Sequence, residues 1–251
     1  AQWVRLTLMT YLPAWREHLE RELTAYAAML AEAVALGRAD APIRSCPGWS
    51  VRDLTAHLIE VQHWAVANIE AGDPSQVTGG SAPELPGDEE LGLAFASSAH
   101  RLLAALDRDA GAPCWGFGAE RNAGFWQRRQ PHEHAIHRWD LEAALHGSAG
   151  LEEELALDGI DEVVTMFWPR QVRLGRTEAP ADALRLRADT GDVWVIGDPR
   201  PEAPEQEPVA EVTGTVSELA LLLWGRQDPT TLPWKGDQEA GIRVLDRPLT
   251  P

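Results

Sequence analysis

Four long segments with helical periodicity constrain the fold of this chain more than any other feature of its sequence. In the first, residues 11–37, apolar residues recur at spacings of three and four, which is the pattern of an amphipathic helix. The other segments cover residues 50–71, 88–107 and 122–146, and loops containing glycine and proline separate them. We predict a helix bundle, because four amphipathic helices joined by loops bury their apolar stripes against one another.

The second half of the chain has a different pattern, in which short segments alternate between polar and apolar residues. The predicted elements are a helix at 158–172, strands at 183–189, 192–197 and 208–214, a helix at 215–226 and a strand at 242–246. This order predicts a small α+β domain, and the character of the sequence changes near residues 147–150. We therefore predict two domains, a four-helix bundle over residues 1–150 and an α+β domain over residues 151–251.

Charge and cysteine content exclude several classes of function. The 251 residues include 22 Lys and Arg against 39 Asp and Glu, a formal net charge of −17 that repels nucleic-acid phosphates and anionic membranes. No apolar run approaches the roughly 18 residues that indicate a membrane span. Two cysteines, Cys46 and Cys114, are too few for a disulfide scaffold or a four-cysteine zinc site. We expect a cytoplasmic protein with neither a nucleic-acid nor a membrane partner.

The densest group of potential metal ligands lies in PHEHAIHRWD, residues 131–140. Glu133 and His137 are four residues apart and share one face of a helix, while His134 and His137 form a competing pair. The segment departs from the H-E-x-x-H motif of zinc proteases, because Ile136 occupies the position of the second histidine. This difference argues against a metalloprotease.

A third ligand must come from another helix, because a catalytic zinc ion usually has three protein ligands and one open position. The candidates are His57, His63 and His100. His57 lies in the middle of the second predicted helix, beside the apolar stripe of Leu54 and Leu58, where it can face a ligand pair on another helix. His63 is the weaker candidate. These patterns alone leave a hydrogen-bonded core histidine and a solvated histidine patch as alternatives to a metal site.

Three blocks in a fixed order carry a resemblance to a known family. They are RSCPGWSVRDLTAHL at 44–58, HEHAIHRWDLEAAL at 132–145 and TVSELALLLWGR at 215–226. In this order they resemble the mycothiol-dependent maleylpyruvate isomerase family of actinobacteria. The resemblance implies a fold of two parts, a DinB-like metal-binding four-helix bundle and a smaller α+β domain similar to sterol carrier proteins.

The resemblance also implies a set of site residues. Carried over by position, it implies that His57, Glu133 and His137 hold a divalent metal, with zinc expected. Asp140 matches an acidic position of the family motif and could orient a ligand, although a simple helix-face carboxylate is an equal alternative. Arg226 matches an arginine that approaches the metal from the second domain and could hold a substrate carboxylate. Capping of helix carbonyls is its alternative role.

The implied activity is metal activation of a low-molecular-weight thiol, which in this family is mycothiol. The activated thiol would isomerise, or be transferred to, a small electrophile such as maleylpyruvate. Addition to the cis double bond would allow rotation before elimination. Two alternatives remain, a metal-dependent hydrolase that uses water instead of the thiol, and a non-enzymatic protein whose second domain binds a small ligand. A requirement for added thiol distinguishes the thiol-dependent enzyme from the hydrolase.

Other residues near these motifs receive ordinary interpretations. We interpret Cys46 and Trp49 as structural residues of a Pro-Gly turn, because the sequence shows no electropositive setting for the thiol. Arg128 and Arg129 are expected on a solvated face, with anion binding as the alternative. The candidates for lining a substrate pocket are Trp64, Trp115, Trp126 and Trp168.

Overall fold

The chain forms two compact units, Ala1–Ala149 and Gly150–Pro251, in a computed structural model that describes residues 14–79, 86–147 and 150–251. The first unit is helical and the second combines helices with a small sheet. The fold class predicted from the sequence is therefore confirmed. None of the described helices is both long enough and apolar enough to cross a membrane.

The first unit contains the four helices that the periodicity predicts. They are α1 (Trp15–Ala35), α2 (Val51–Ala71), α3 (Asp88–Leu106) and α4 (Ala123–His146). Residues 11–13 of the first predicted helix lie outside the described part of the chain. Each helix buries an apolar stripe in the bundle core, where Tyr26, Leu58, Phe95 and Trp126 are fully buried. Burial of side chains of this size stabilises the folded state by about 1.5–3 kcal/mol each.

Local sequence fixes the start and the end of α2, the helix that carries His57. The Ser50 side chain accepts a hydrogen bond from the Asp53 backbone at 3.2 Å, and the Asp53 carboxylate accepts one from the Ser50 backbone at 2.9 Å. This capping box satisfies two otherwise unpaired donors at the helix start. At the other end, Gly72 adopts a left-handed conformation with φ of 64° and ends the helix.

The contacts of α4 with its neighbours give the relative directions of the helices. Glu22 pairs with Arg138 and Glu32 with His146, so α1 and α4 run parallel. By contrast, α2 and α4 run antiparallel, because residues later in α2 meet residues earlier in α4. His57 contacts Glu133 on α4, and Trp64, two turns later on α2, contacts Trp126. The antiparallel pair places His57 opposite the ligand pair on α4.

The second unit combines four α-helices with a four-stranded sheet. Its helices are α5 (Glu153–Glu162), α6 (Trp168–Arg173), α7 (Val216–Leu223) and α8 (Gln238–Leu245), with a π-helical segment Val163–Phe167 between α5 and α6. Its strands are β1 (Ala183–Ala188), β2 (Val193–Ile196), β3 (Pro208–Gly214) and β4 (Trp234–Gly236), in the order β2-β1-β3-β4. β1 and β3 are parallel, and the other neighbours are antiparallel. The helices α7 and α8 pack against β1 and β3.

The C-terminal end of this unit differs from the prediction. The predicted strand at 242–246 is wrong, because α8 covers residues 238–245. The Asp237 carboxylate caps α8 by accepting a hydrogen bond from the Ala240 backbone at 3.0 Å, and Ala240 and Val244 are buried one helical turn apart. The prediction also missed β4, a three-residue strand that pairs only with β3 among the described residues. A segment this short carries too little alternation to be detected.

Candidate metal centre

The side chains of His57, Glu133 and His137 converge on one point between α2 and α4. Glu133 Oε1 lies 3.0 Å from His57 Nε2 and 3.4 Å from His137 Nε2. One ligand atom from each residue falls within 4.8 Å of the others. The helical spacing of Glu133 and His137 predicted that they share a face, and the antiparallel packing of α2 supplies the third side chain.

The donor set and its spacing fit a tetrahedral zinc ion. Two ligand atoms bound at 2.0–2.1 Å in a tetrahedron lie about 3.3 Å apart, close to both distances at Glu133 Oε1. Two imidazoles and one carboxylate also match the three protein ligands of many catalytic zinc sites, which keep a fourth position open. His57 is the most accessible of the three, with 30% of its side chain exposed, so the centre is reached from that side.

Arg129 fixes the carboxylate of Glu133. Its guanidinium, on the same helix one turn earlier, donates to Glu133 Oε2, which leaves Oε1 to face the two histidines. Burial by itself would raise the pKa of Glu133, but the Arg129 charge and hydrogen bonds from His137 and His57 hold that pKa well below its usual range. The prediction that Arg129 lies on a solvated face is wrong, because only 4% of this residue is exposed.

Asp140 holds the opposite edge of the His137 ring. Its Oδ2 lies 2.9 Å from His137 Nδ1, and its side chain is fully buried. Burial lowers the pKa of His137, but the Asp140 carboxylate and then Cys46 and Glu133 outweigh it and raise that pKa well above the usual value. A hydrogen bond from Nδ1 to a carboxylate leaves Nε2 as the ring atom that can bind a metal.

Cys46 and Trp49 belong to the surroundings of the centre. Cys46 Sγ lies 3.4 Å from Asp140 Oδ2 and forms, with His137 and Asp140, a second group of potential ligand atoms within 4.8 Å. The Trp49 ring lies 4.9 Å from the His57 ring and 6.4 Å from the His137 ring, between ring centroids. Their interpretation as turn residues alone is therefore incomplete, because a charged and titratable setting surrounds the thiol.

The remaining candidate histidines lie elsewhere. His134 is completely buried, and its Nε2 lies 2.9 Å from Gln62 Nε2 while its Nδ1 lies 2.8 Å from the Gln130 carbonyl. Burial lowers the pKa of His134 to about 4, so the ring is neutral and forms part of the core. His100 is exposed on α3 and His63 is half-buried on α2. Among the described residues, neither belongs to a cluster of potential metal ligands.

Arg226 lies in the second unit, three residues beyond the end of α7. Its backbone N–H donates to the Leu221 carbonyl at 2.8 Å, and its Nη1 donates to the Trp224 carbonyl at 2.7 Å. These bonds satisfy carbonyls at the helix end and correspond to the capping role. The side chain is half-buried.

The tryptophans proposed for a substrate pocket fall in two places. Trp64, Trp115 and Trp126 form an aromatic cluster in the first unit, together with Phe117 and Phe125. Trp126 is fully buried, whereas Trp64 and Trp115 are partly exposed. Trp64 follows His57 by seven residues, which is about 10 Å along a helix. Trp168 is a core residue of the second unit, where its Nε1 donates to the Gly197 carbonyl at 2.8 Å.

The fold and these residues define a helical bundle with a candidate metal centre, joined to a small α+β unit. Two family models match the chain in the same order. The mycothiol maleylpyruvate isomerase N-terminal domain matches residues 19–142, and the C-terminal domain of that family matches residues 154–241. The chain therefore belongs to the mycothiol maleylpyruvate isomerase family, which is named for an enzyme.

Two solved structures share the fold. A crystal structure of the mycothiol-dependent maleylpyruvate isomerase, in a histidine-to-alanine mutant, matches with a TM-score of 0.61 at 15% identity, covering 86% of this chain and 92% of that one. A second crystal structure of the mycothiol-dependent maleylpyruvate isomerase matches with a TM-score of 0.59 at 15% identity and the same coverage. No curated protein sequence matches the chain significantly.

Proposed function

We propose that this protein is a metal-dependent enzyme that uses a low-molecular-weight thiol, mycothiol. With this thiol it either isomerises a small acidic electrophile of the maleylpyruvate type or transfers the thiol to that electrophile. Membership of the family supports the reaction class. The observation that carries the proposal is the convergence of His57, Glu133 and His137, in which Glu133 Oε1 lies 3.0 Å and 3.4 Å from the two histidine Nε2 atoms. Zinc is the proposed metal, since the donor set suits it.

Bound zinc would act as a Lewis acid that lowers the pKa of a coordinated thiol and so makes it nucleophilic at neutral pH. The residues around the centre leave a fourth coordination position for the thiol. Arg129 engages one oxygen of Glu133, so the carboxylate offers the centre a single atom. Asp140 orients His137 through Nδ1. Rigid placement of the ligands lowers the cost of organising the reacting groups.

Addition and elimination of the thiolate need no further reagent. The sulfur forms a bond to one carbon of the cis double bond, and the π-electron pair moves toward the conjugated carbonyl of the substrate. The resulting carbon–carbon single bond rotates, the electron pair returns to form the trans double bond, and the carbon–sulfur bond breaks with the sulfur leaving as the thiolate. Arg226 is the proposed cation for a substrate carboxylate, because a guanidinium binds such a group through two parallel hydrogen bonds.

Replacement of Glu133 tests the metal site. We expect Glu133→Gln to lose zinc, because the neutral amide is a much weaker ligand than the carboxylate. Metal content per chain, measured by mass spectrometry, should be about one zinc for the unmodified protein and close to none for the variant. Glu142→Gln is the matched control, since this glutamate lies on the same helix and pairs with Arg138. Absence of zinc uptake by the unmodified protein would refute the proposal.

The zinc-loaded enzyme should require added thiol for isomerisation of maleylpyruvate. The rate of disappearance of the cis isomer, followed with and without mycothiol, measures this dependence. Turnover of an ester or amide substrate without any thiol would instead favour the hydrolase.

Arg226→Ala should raise KM for an acidic substrate about tenfold or more while zinc content stays unchanged, since the variant removes a charged partner of the carboxylate. Arg243→Ala is the control, because Arg243 is a largely exposed arginine of the same unit. An unchanged KM in Arg226→Ala would remove the proposed role.

A further inference from the structure

We propose that Cys46 and Trp49 are positioning residues of the candidate metal centre, Cys46 through Asp140 and Trp49 through direct packing on both histidine rings. The inference rests on the proposed function, because it needs His57 and His137 to be ligands. It assigns a role to the turn that precedes α2, which the metal site does not otherwise use. Side chains of this turn contact His57 on α2 directly and His137 on α4 both directly and through Asp140.

The turn is rigid enough to place side chains. The backbone N–H of Cys46 donates to the Ile43 carbonyl at 3.1 Å, and that of Trp49 donates to the Cys46 carbonyl at 3.0 Å. Ile43 N–H in turn donates to the Trp49 carbonyl at 2.8 Å, which closes the loop on itself. Gly48 has a φ of 86°, a left-handed conformation that glycine adopts without strain. The capping box at Ser50 then fixes the turn to the start of α2.

A chain of hydrogen bonds connects Cys46 to His137. The Cys46 thiol donates to Asp140 Oδ2 at 3.4 Å, and the same oxygen lies 2.9 Å from His137 Nδ1. Asp140 is buried, so water cannot compensate its carboxylate freely. A second donor on the shared oxygen restricts the rotation of the carboxylate, and with it the plane of the His137 ring. Cys46 therefore orients the proposed metal ligand His137 through the Asp140 carboxylate.

Trp49 packs against both histidine rings. Its ring is tilted by 50° over His57 and by 29° over His137, and the two histidine rings meet edge to face at 4.9 Å. Aromatic pairs at these separations contribute about 0.5–1.5 kcal/mol beyond the area they bury. Because His57 is the most accessible ligand, its ring depends most on such a neighbour for a fixed orientation.

Zinc affinity of the full-length protein tests the inference with a readout other than activity. The variants are Cys46→Ala, which removes the donor, Cys46→Ser, which keeps one, and Cys114→Ala as the control at the other cysteine. Each protein is stripped of metal, and its zinc Kd is measured by competition with a chromogenic chelator. We expect Cys46→Ala to weaken zinc binding about tenfold, in the range for groups that orient metal ligands. Cys46→Ser and Cys114→Ala should bind zinc as the unmodified protein does.

Urea unfolding of the stripped proteins separates positioning from plain stability. A lower free energy of unfolding in Cys46→Ala with an unchanged zinc Kd would overturn the inference and make Cys46 a purely structural residue. Equal weakening by Cys46→Ala and Cys46→Ser would also overturn it, because the hydrogen bond would then be irrelevant. In both cases normal zinc binding by the unmodified protein leaves the proposed function standing. Failure of the unmodified protein to bind zinc refutes the proposed function itself.

The same design applies to Trp49. Trp49→Phe keeps an aromatic ring over His57 and His137 and should retain most of the zinc affinity. Trp49→Leu keeps apolar volume without the ring, and we expect a several-fold weaker zinc Kd. Identical zinc affinities in the two variants would remove the packing role.

Discussion

Single side chains around the candidate centre differ in what they do because their surroundings differ. His134 and His137 are three residues apart on α4, yet one is a neutral core residue and the other is held between two carboxylates. Burial lowers the pKa of His134 to about 4, because the Gln130 carbonyl and the Glu133 charge offset that burial only in part. For His137, Asp140 and Glu133 outweigh the same burial and raise the pKa.

This difference predicts opposite consequences for the two histidines. His137→Leu should abolish zinc binding. His134→Leu should keep zinc but reduce the free energy of unfolding by about 1–3 kcal/mol, because the Gln62 amide and the Gln130 carbonyl lose their partner in the core. Metal analysis and urea unfolding measure the two effects.

A double variant provides the control for His134. Gln62→Leu combined with His134→Leu removes both members of the buried pair, so it should lose less free energy than the two single variants added together. Loss of zinc from a folded His134→Leu variant would contradict the prediction and make His134 a ligand.

At the scale of elements, ends that depend on local hydrogen bonds follow the sequence closely. The Ser50–Asp53 box starts α2, and an equivalent box at Thr215 and Glu218 starts α7. The β4–α8 region is different, because Gly236 and Gly241 serve packing that brings distant segments together. A Cβ at Gly241 would lie 2.4 Å from the Trp234 ring.

Gly236 should tolerate no side chain. Its φ is 78°, and an added Cβ would lie 2.3 Å from the Val209 carbonyl oxygen on the neighbouring strand. Gly236→Ala should therefore lower the free energy of unfolding by roughly 2–4 kcal/mol, since backbone strain and a displaced strand act together. Thermal or urea unfolding measures the loss.

Gly191 is the matched control for Gly236. It has a φ of 94° in the β1–β2 turn, but an added Cβ would meet no atom within 4 Å. Gly191→Ala should cost only the left-handed conformation, about 1 kcal/mol. Equal losses at Gly236 and Gly191 would show that the contact with Val209 is unimportant.

At the scale of the whole molecule, the proposed site residues fall in both units. All three proposed ligands lie in Ala1–Ala149, and the proposed carboxylate-binding Arg226 lies in Gly150–Pro251. Zinc should therefore stabilise the first unit, by about 2.7 kcal/mol when its free concentration is 100 times Kd. Calorimetry should show the unfolding transition of that unit rising by roughly 5–10 °C.

The transition of the second unit should stay in place, because it contributes no proposed ligand. Glu133→Gln is the control, and its unfolding should not respond to zinc. A zinc-dependent rise in the second transition alone, or in the Glu133→Gln variant, would contradict the assignment of the metal to the bundle.

The sequence by itself determined the features that depend on neighbours along the chain. Helical periodicity defined α1 to α4, the capping residues defined the start of α2, and spacing placed Glu133 and His137 on one face. The ion pair between Arg129 and Glu133 could also have been predicted, since Arg129 precedes Glu133 by the same four residues. Family resemblance selected His57 among the candidate histidines and supplied Arg226, and both assignments stay predictions.

The tertiary structure alone decided which distant residues meet. Cys46 and Asp140 are 94 residues apart, and only the packing of the turn against α4 brings the thiol to the carboxylate. The same holds for β4, whose three residues form a strand only because β3 offers an unpaired edge. Local patterns record the preferences of single segments, whereas burial and pairing between distant segments depend on the whole chain, and these set the chemical environment of the candidate centre.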